Sequence, residues 1–351
     1  MKLLVTGGAG FIGSNFVHWL FRQDNAASNH DIVVLDSLTY AGNLANLDQI
    51  KGQKNFNFVK GDIRDYDLVS SILAGGSFDA LVNFAAETHV DRSIVSPLDF
   101  VRTNVEGTQV LLNAARDCSV KRYLQVSTDE VYGSLGPTGR FSESTPICPS
   151  SAYSASKAAG DMLVLAAHHT HHSDVLVSRC SNNYGPYQFP EKLIPLFITN
   201  ALADKPLPLY GDGKNVRSWL HVDDHSRALM MILKNGRAGE VYNVGGDPES
   251  EKENIFVTKE VLRILGKSPN LIKYVDDRKG HDRRYAVDYS KIQGELGWEP
   301  KVNFAQGLQS TVDWYIENRP WWESIKSGDY LKFYDSYYGE RLASSTSEAV
   351  S

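Results

Sequence analysis

The sequence predicts an α/β protein built on a doubly wound parallel sheet, with a smaller α/β domain beside it. Short apolar stretches of strand length alternate with longer stretches of helical periodicity through the first half of the 351 residues. A glycine-rich turn joins the first strand to the first helix. After residue 180 turn-forming residues occur at short spacing, and the chain is longer than one compact domain usually needs.

The first strand, Leu3–Thr6, is followed by Gly7, Gly10 and Gly13 and by the apolar-periodic helix Phe11–Phe21. Glycines at this spacing allow a tight turn and a close approach of the backbone to a pyrophosphate. The free amides and the dipole of the helix N-terminus would meet its negative charge. A glycine triplet alone is weak support for such a site, because glycines also form ordinary turns.

The second strand, Ile32–Leu35, ends in Asp36, and this strengthens the prediction. A carboxylate at this point accepts hydrogen bonds from the hydroxyls of an adenosine ribose and would repel a 2′-phosphate. We therefore predict that the cofactor is NAD rather than NADP. The alternative is that Asp36 only forms a turn.

The remaining elements continue the alternation. Apolar stretches predict strands at residues 56–59, 81–85, 123–127, 175–179 and 240–244, and periodicity predicts helices at 97–116, 152–167, 223–234 and 304–318. We assign residues 1–180 and 221–246 to a cofactor domain, 181–220 and 247–325 to a substrate domain, and 326–351 to a C-terminal tail. Its small, polar end, 343–351, is expected to be disordered.

The helices at 97–116 and 152–167 carry apolar residues on more than one face. Surplus apolar surface favours a partner, so these helices could pair across a homodimer. A large core within one monomer explains the pattern nearly as well.

Composition excludes several classes of protein. With 36 Lys and Arg against 42 Asp and Glu, the net charge of −6 argues against a nucleic-acid binder. The chain has no signal-peptide pattern and no apolar run of membrane-spanning length, so we expect a cytoplasmic protein without a membrane partner. Cys118, Cys148 and Cys180 are too widely spaced for a disulfide framework or a zinc cluster. His168 and His172 have metal-capable spacing but no third ligand, so no metal site is expected.

Tyr153 and Lys157 lie four residues apart in a predicted helix and therefore share a face. An ammonium group near a phenol favours the phenolate, so we expect Lys157 to lower the pKa of Tyr153. Such a tyrosine can take a proton from a sugar hydroxyl while hydride leaves the same carbon. An isolated pair of this kind also arises by chance on a solvated helix.

Asp129 and Glu130 follow the strand at 123–127. Two adjacent carboxyl groups can divide the roles of acid and base in one elimination. To donate a proton near neutrality, Asp129 must have a raised pKa, through burial and through its charged neighbour. The alternative is an exposed acidic turn.

Together these motifs resemble those of the extended short-chain dehydrogenase/reductases that act on nucleotide sugars, and within them the 4,6-dehydratases. The resemblance runs from Met1 to about Asn318. It is carried by Gly7-x-x-Gly10-x-x-Gly13, Asp36, residues 38–43 (Leu-Thr-Tyr-Ala-Gly-Asn), 61–65 (Gly-Asp-Ile-Arg-Asp), 85–93 (Ala-Ala-Glu-Thr-His-Val-Asp-Arg-Ser), 127–133 (Ser-Thr-Asp-Glu-Val-Tyr-Gly), Tyr153-x-x-x-Lys157, 189–195 (Phe-Pro-Glu-Lys-Leu-Ile-Pro) and 277–284 (Asp-Arg-Lys-Gly-His-Asp-Arg-Arg).

The resemblance implies a Rossmann-type fold, NAD as cofactor and a lyase reaction. A nucleotide-sugar, dTDP-glucose, would be oxidised at C4, lose water across C5 and C6, and receive the hydride back at C6 to give the 4-keto-6-deoxy sugar. By this similarity Glu130 is the C5 base, Asp129 the acid at the departing hydroxyl, and Tyr153 the group that removes the C4 hydroxyl proton. Lys157 would hold the nicotinamide ribose, and Thr128 would bind near the reacting hydroxyl.

Further positions are implied by the resemblance alone. The implied cofactor-binding residues are Gly7, Gly10, Phe11, Ile12, Gly13, Asp36, Ser37, Leu38, Thr39, Asp62, Ile63, Ala85, Ala86, Thr103, Tyr153, Lys157 and Asn183. The implied substrate-binding residues are Glu87, His89, Thr128, Asn182, Lys192, Leu193, Pro208, Tyr210, Arg217, Asn254, Arg278 and His281. The chain departs from the family at Ser37, where relatives often have lysine, and in the acidic loop 247–254, which fits the pattern loosely.

Other functions stay open at this point. UDP-glucose or UDP-N-acetylglucosamine could replace dTDP-glucose, because thymine and uracil differ by one methyl group, which contributes only about 1 kcal/mol. A 4-epimerase or decarboxylase of the same fold would form a C4 epimer or carbon dioxide. A noncatalytic NAD-sensing protein would be inactive on every nucleotide-sugar.

Overall fold

The computed structural model describes residues 1–22, 30–277 and 280–327, together with 330–332, 334, 336, 338, 341 and 342. Its strands are β1 (Lys2–Thr6), β2 (Asp31–Asp36), β3 (Phe56–Lys60), β4 (Ala80–Asn83), β5 (Tyr123–Thr128), β6 (Val175–Cys180), β7 (Asn182–Tyr184), β8 (Leu207–Tyr210), β9 (Val216–His221), β10 (Val241–Val244), β11 (Glu251–Glu253) and β12 (Ile272–Val275). Its α-helices are α1 (Phe11–Phe21), α2 (Tyr66–Ala74), α3 (Val90–Val95), α4 (Pro97–Val101), α5 (Thr108–Asp117), α6 (Ala152–His171), α7 (Leu193–Leu202), α8 (Val222–Asn235), α9 (Asn254–Leu265), α10 (Ser290–Leu296), α11 (Phe304–Glu317) and α12 (Arg319–Ile325).

The main sheet has seven strands in the order β10-β6-β5-β4-β1-β2-β3, and every neighbouring pair is parallel. The strand order reverses at β1, which lies between β2 and β4. Ligands of doubly wound sheets bind outside the carboxyl ends of the strands at such a reversal. The predicted Rossmann-type α/β class is confirmed, and the topology places the site at the turn after β1.

Both faces of this sheet are buried, because alternate residues of each strand point to opposite sides. Leu3 and Val5 of β1 belong to a core that also contains Phe16 of α1 and Leu229 of α8. Leu4 lies in the opposite core, with side chains of α2, α5 and α6. Helices therefore cover the sheet on both sides and leave its carboxyl edge open.

A separate core holds the second group of elements. It joins side chains of α7, α9 and α11 with β8, Trp219 and Tyr338. Helix α10 behaves differently from the domain assignment, since Ile292 and the nearby Trp298 pack into the first core although they lie within 247–325. We propose the domain division given above with two changes: α10 and Trp298 belong with the cofactor domain, and Tyr338 of the tail segment belongs with the substrate domain.

The helix predicted at 97–116 is interrupted. It consists of α4, a π-helical stretch Arg102–Gly107, and α5. Within the π-helical stretch, the Asn104 side chain donates to the carbonyl of Glu87 at 3.0 Å and accepts from its amide at 2.9 Å. The irregular turn thus fixes the segment after β4, and π-helical turns occur often at functional sites.

Strand β4 is shorter than the sequence predicts. The strand predicted at 81–85 runs instead from Ala80 to Asn83, so residues 84–86 are free to line a cavity.

The predicted disordered end, 343–351, lies outside the described residues. Among the helices that the structure describes, none is both long enough and apolar enough to cross a membrane.

Candidate active site

A cavity of about 400 Å³ opens at the carboxyl ends of the central strands. Of the cofactor-binding residues implied by the sequence, sixteen line it: Gly7, Gly10, Phe11, Ile12, Gly13, Asp36, Ser37, Thr39, Asp62, Ile63, Ala85, Ala86, Thr103, Tyr153, Lys157 and Asn183. Leu38 is not among the lining residues, and its contact with NAD stays a prediction. Its side chain packs against the first core, and its amide donates to Asp36 Oδ1 at 2.8 Å.

The glycine turn fits a bound pyrophosphate. Gly7 has φ +69°, and a Cβ there would lie 2.5 Å from the amide nitrogen of Ala85. A Cβ on Gly13 would lie 2.3 Å from the Gly7 carbonyl oxygen, so a side chain at either position would clash with the backbone and distort the turn. Helix α1 begins after Gly10 without a capping side chain, which leaves its first amides available to an anion.

Asp36 is buried beside this turn with both carboxylate oxygens oriented. Oδ2 accepts from the amide of Ala9 at 2.9 Å and Oδ1 from that of Leu38. Burial raises the pKa of Asp36, and these two hydrogen bonds oppose the rise. Each oxygen keeps a lone pair, so the group can still accept from ribose hydroxyls.

A second cavity, of about 170 Å³, adjoins the first and is formed largely by the second group of elements. The predicted substrate-binding residues that line it are His89, Asn182, Lys192, Leu193, Pro208, Tyr210, Arg217, Asn254 and His281. Glu87 and Thr128 line the first cavity instead, and Arg278 lies outside the described residues. Asn254 does reach the cavity, although its loop fits the family pattern loosely.

Cationic groups in the second cavity are held in place by neighbouring groups. The Arg217 guanidinium lies 4.4 Å from the centre of the Tyr285 ring and donates to the Asp282 carbonyl at 3.0 Å. Lys192 Nζ donates to the carbonyl of Thr88 at 2.8 Å. A guanidinium fork and an ammonium suit a diphosphate through charge-assisted hydrogen bonds.

The two cavities meet at a small set of shared residues. Those lining both are Glu130, Asn182, Asn183, Gln188, Glu191 and Lys192. Asn182 Oδ1, Gln188 Oε1 and Glu191 Oε2 are buried and have no hydrogen-bond partner among the described residues. Unsatisfied buried oxygens are rare in native proteins, so this junction suits a ligand rich in hydroxyl groups.

The acidic pair is positioned by the end of β5. Thr128 is the last residue of the strand, and its Oγ1 accepts from the amide of Glu130 at 3.2 Å, which starts a short 3₁₀ turn. This turn directs both Asp129 and Glu130 to the first cavity. The alternative of an exposed acidic turn is wrong for Asp129, whose exposed fraction is 1%.

Asp129 has the environment that a proton donor requires. Burial raises its pKa well above the ordinary value, the charge of Glu130 raises it further, and Arg217 opposes the rise. Its Oδ2 has no hydrogen-bond partner in the described part of the chain. The predicted rise in pKa is confirmed, with burial as the larger cause.

Asp129→Asn is expected to make the folded protein more stable at neutral pH. Because the pKa is raised in the folded state, the folded protein binds the proton more tightly than the unfolded chain does. The free energy of unfolding of the wild type therefore falls as the pH rises above the ordinary aspartate pKa of 3.8, whereas asparagine carries no such penalty.

Urea unfolding of both proteins from acidic to neutral pH measures this difference. The advantage of Asp129→Asn should shrink as the pH approaches 3.8. Asp31→Asn, at an exposed position, controls for the loss of one charge. A difference between Asp129→Asn and wild type that does not change with pH would contradict the assigned pKa.

Tyr153 and Lys157 both line the first cavity, on the same face of α6. The expected lowering of the Tyr153 pKa is wrong for the protein alone. Burial raises that pKa well above its ordinary value, the charge of Glu130 adds to the rise, and a hydrogen bond with Thr128 opposes it. Lys157 Nζ donates to the Val126 carbonyl at 2.7 Å, and burial lowers the pKa of Lys157.

Glu191 is the most informative residue that the sequence analysis left without a role. Its side chain is 5% exposed, with Oε2 3.6 Å from Arg92 Nε and 3.9 Å from His89 Nε2. Burial raises the pKa of Glu191 to about 7 against the opposing charges of Lys192 and Arg92. The sequence places it inside a recognised motif, but nothing in the motif shows that this carboxyl is buried.

Other lining residues also went unassigned. They include Thr88, Asp91, Cys180, Gln188, Phe197, Trp219, Tyr285 and Tyr338. Tyr338 lies in the segment assigned to the tail, and its hydroxyl accepts from that of Tyr210 at 3.2 Å. Its aromatic neighbours at residues 330 and 334 were the available signal, since three tyrosines at four-residue spacing are unusual in a disordered tail.

No group of three metal-ligating side chains was found among the described residues. His168 Nδ1 lies 2.9 Å from the Ser173 carbonyl oxygen, and its ring packs on Gly239. His168 therefore has a structural role, because it contacts the segment that joins α6 to β6 and the turn before β10.

Comparison with known proteins adds independent support. The family model described as GDP-mannose 4,6 dehydratase matches residues 4–311. A dTDP-glucose 4,6-dehydratase of Streptomyces niveus is 53% identical over 330 residues, which cover 94% of this chain and 97% of the relative. The solved structure of DesIV, a dTDP-glucose 4,6-dehydratase from Streptomyces venezuelae with NAD and TYD bound, has a TM-score of 0.89 and 53% identity, over 93% of this chain and 100% of that one.

An enzyme with a different activity shares the fold at lower sequence identity. The structure of a UDP-glucose 4-epimerase of Thermotoga maritima, with UDP-glucose, has a TM-score of 0.83 at 29% identity, over 91% of this chain and 100% of that one. The fold is thus common to both activities, and the choice between them depends on the residues at the site.

The glycine turn and the Tyr-x-x-x-Lys pair face one cavity at the edge of a parallel sheet, and this arrangement assigns the protein to the extended short-chain dehydrogenase/reductases. Within that class, the family model and the relative at 53% identity extend over most of the chain. The chain belongs to the dTDP-glucose 4,6-dehydratase family.

Proposed function

We propose that the protein converts dTDP-glucose to dTDP-4-keto-6-deoxyglucose and water, with NAD as a cofactor that is regenerated in each turnover. The observation that carries the proposal is the position of Glu130, which lines both the dinucleotide cavity and the substrate cavity. A hexose at their junction would contact the acidic pair. The relatives that are 53% identical support dTDP-glucose as the substrate.

NAD fits the first cavity through residues already described. The glycine turn would hold its pyrophosphate, Asp36 its adenosine ribose, and Lys157 its nicotinamide ribose. When bound, NAD accepts a hydride from C4 of the hexose and later returns it to C6. Since NAD and nucleotide sugars are cytoplasmic metabolites, we also propose that the protein acts in the cytoplasm.

Tyr153 would remove the proton of the C4 hydroxyl. Its pKa is high in the protein alone, so the phenolate needs positive charge close by. Lys157 supplies one such charge from the same helical face, and the oxidised nicotinamide ring carries another. Thr128 is hydrogen-bonded to the Tyr153 phenol and can orient it toward the sugar. The pKa of Tyr153 would therefore fall only when NAD is bound, so Tyr153 would remove a proton only from a substrate bound beside NAD.

The acidic pair would carry out the elimination. With C4 a ketone, the C5 hydrogen is acidic, and Glu130 would remove it. Asp129 would protonate the C6 hydroxyl as it leaves, since its raised pKa favours the protonated acid. Asp129 is buried whereas Glu130 is half-buried, and this difference assigns the acid and the base, as in other enzymes with paired carboxyl groups.

Incubation with dTDP-glucose, UDP-glucose and UDP-N-acetylglucosamine tests this proposal. Mass spectrometry should show loss of one water from dTDP-glucose, at a higher kcat/KM than for the two uridine sugars. A C4 epimer or carbon dioxide without a 4-keto-6-deoxy product would establish an epimerase or decarboxylase instead. Inactivity on all three would favour a noncatalytic NAD-sensing role.

We also propose a homodimer. The apolar side chains of one surface are 44–75% exposed: Ile94 and Val95 on α3, Leu98 and Val101 on α4, and Met162 on α6. This surface overlaps the predicted interface at α4 and Met162, and α3 extends it, which supports the proposal. Exposed apolar surface of this kind commonly marks a protein interface. Sedimentation equilibrium should give twice the mass of the chain, and a monomer at micromolar concentration would contradict the proposal.

A further inference from the structure

Asn46 is a buried amide outside both cavities, and it holds the glycine turn. It is 2% exposed, and its Nδ2 donates to the carbonyl oxygen of Ala9 at 2.9 Å. Ala9 lies between the glycines of the turn, and its own amide donates to Asp36 Oδ2 at 2.9 Å. Ala9 thus connects Asn46, through its carbonyl, with the carboxylate assigned to the adenosine ribose, through its amide.

Asn46 is in turn held by the C-terminal region. The indole nitrogen of Trp321, at the start of α12, donates to Asn46 Oδ1 at 2.8 Å. This contact spans 275 residues of sequence, and Trp321 lies beyond the residues 4–311 that the family model matches. The donor from Trp321 also fixes the orientation of the amide, because Oδ1 must be the acceptor and Nδ2 must face Ala9.

The surroundings leave Trp321 and Asn46 little freedom. The Trp321 ring packs edge-on against Trp314 and Tyr187, with centroids 5.1 and 5.9 Å away. Tyr187 stacks on His18 of α1, and His18 Nε2 lies 2.6 Å from the backbone carbonyl of Asn46. The side chain and the backbone of Asn46 are therefore each fixed by a contact from the same aromatic cluster.

We propose that Trp321 and Asn46 are positioning residues for NAD, which act through Ala9 to hold the glycine turn and Asp36 in the binding conformation. The inference depends on the NAD site proposed above. A net contribution typical of one neutral hydrogen bond corresponds to about a three- to tenfold change in a dissociation constant. The C-terminal helix thereby contributes to NAD affinity without touching the cofactor.

The test compares Trp321→Phe with Trp314→Phe. Trp321→Phe removes the indole donor and keeps an aromatic ring, whereas Trp314→Phe alters the same cluster and leaves the three hydrogen bonds intact. Calorimetric titration of NAD into each protein, freed of bound nucleotide, should show a dissociation constant raised about three- to tenfold by Trp321→Phe and unchanged by Trp314→Phe. At saturating NAD, kcat and the KM for dTDP-glucose should stay within about twofold of wild type.

A double-mutant cycle tests whether Trp321 acts through Asn46 and Ala9, a chain of hydrogen bonds that we call the relay, or through general loosening of the fold. Asn46→Asp keeps the acceptor for Trp321 but loses the donor to Ala9, so the double variant should bind NAD no more weakly than Asn46→Asp alone. Additive effects, or equal losses in Trp321→Phe and Trp314→Phe, would overturn the relay. A wild type that binds no NAD would instead refute the proposed cofactor site, and the relay with it.

Discussion

Glu130→Gln is expected to lower kcat for dehydration by about a hundredfold to ten-thousandfold, the contribution typical of a general base. Glutamine has nearly the shape of glutamate but cannot accept the C5 proton. In heavy water the wild-type product should gain deuterium at C5, and the variant should leave the C5 hydrogen of the substrate in place. Mass spectrometry of the sugar measures both the product and the exchange.

The control for this prediction is Glu143→Gln. Glu143 Oε1 accepts from the amide of Asn243 at 2.8 Å, outside both cavities, and glutamine can accept the same bond. We expect near-wild-type kcat for that variant. Binding of dTDP should also be unchanged in Glu130→Gln. If Glu130→Gln still formed product with deuterium at C5, another group would have to be the base.

Tyr153→Phe is the second change with a large expected effect, again about a hundredfold to ten-thousandfold in kcat. The variant lacks the oxygen that takes the proton from the C4 hydroxyl, so oxidation at C4 should fail before any loss of water. The KM for dTDP-glucose should change little, because the contacts of the second cavity are untouched. Steady-state kinetics at saturating NAD measures both constants.

Tyr123→Phe provides a matched control for Tyr153→Phe. Tyr123 is also a buried phenol, and its hydroxyl donates to Gln125 Oε1 at 2.8 Å on β5, away from the cavities. Loss of that bond should lower stability by about 1 kcal/mol without lowering kcat. Equal losses of kcat in the two variants would show that Tyr153 contributes through packing rather than through chemistry.

Most of the fold was predictable because its signals are local. Glycines after a buried strand, and a carboxylate at the end of the next, specify the first unit of a doubly wound sheet without reference to any distant contact. The positions of Tyr153 and Asp129 are predictable for the same reason. Asp129 follows the carboxyl end of β5, and Tyr153 lies in the first turn of α6, so both lie at the carboxyl edge of the sheet. Both therefore face the cavity that the glycine turn begins.

Features set by distant contacts were not predictable. Leu38 stands in a cofactor-binding motif, but its side chain packs against the core and its amide donates to Asp36. Glu191 acquires its raised pKa from elements far apart in sequence. Burial is the largest cause of the raised pKa of Tyr153, and burial is a property of the packed protein rather than of the four-residue spacing to Lys157.

The fate of a deuterium label at C4 of dTDP-glucose tests the central claim most directly. If one hexose is oxidised, dehydrated and reduced at the junction of the two cavities, the 4-keto-6-deoxy product should carry the deuterium at C6. In an equimolar mixture of unlabelled substrate and substrate that carries both the C4 deuterium and a carbon-13 hexose, deuterium should appear only in product that also carries carbon-13. Deuterium lost to solvent, or retained at C4 of an epimerised hexose, would contradict the account.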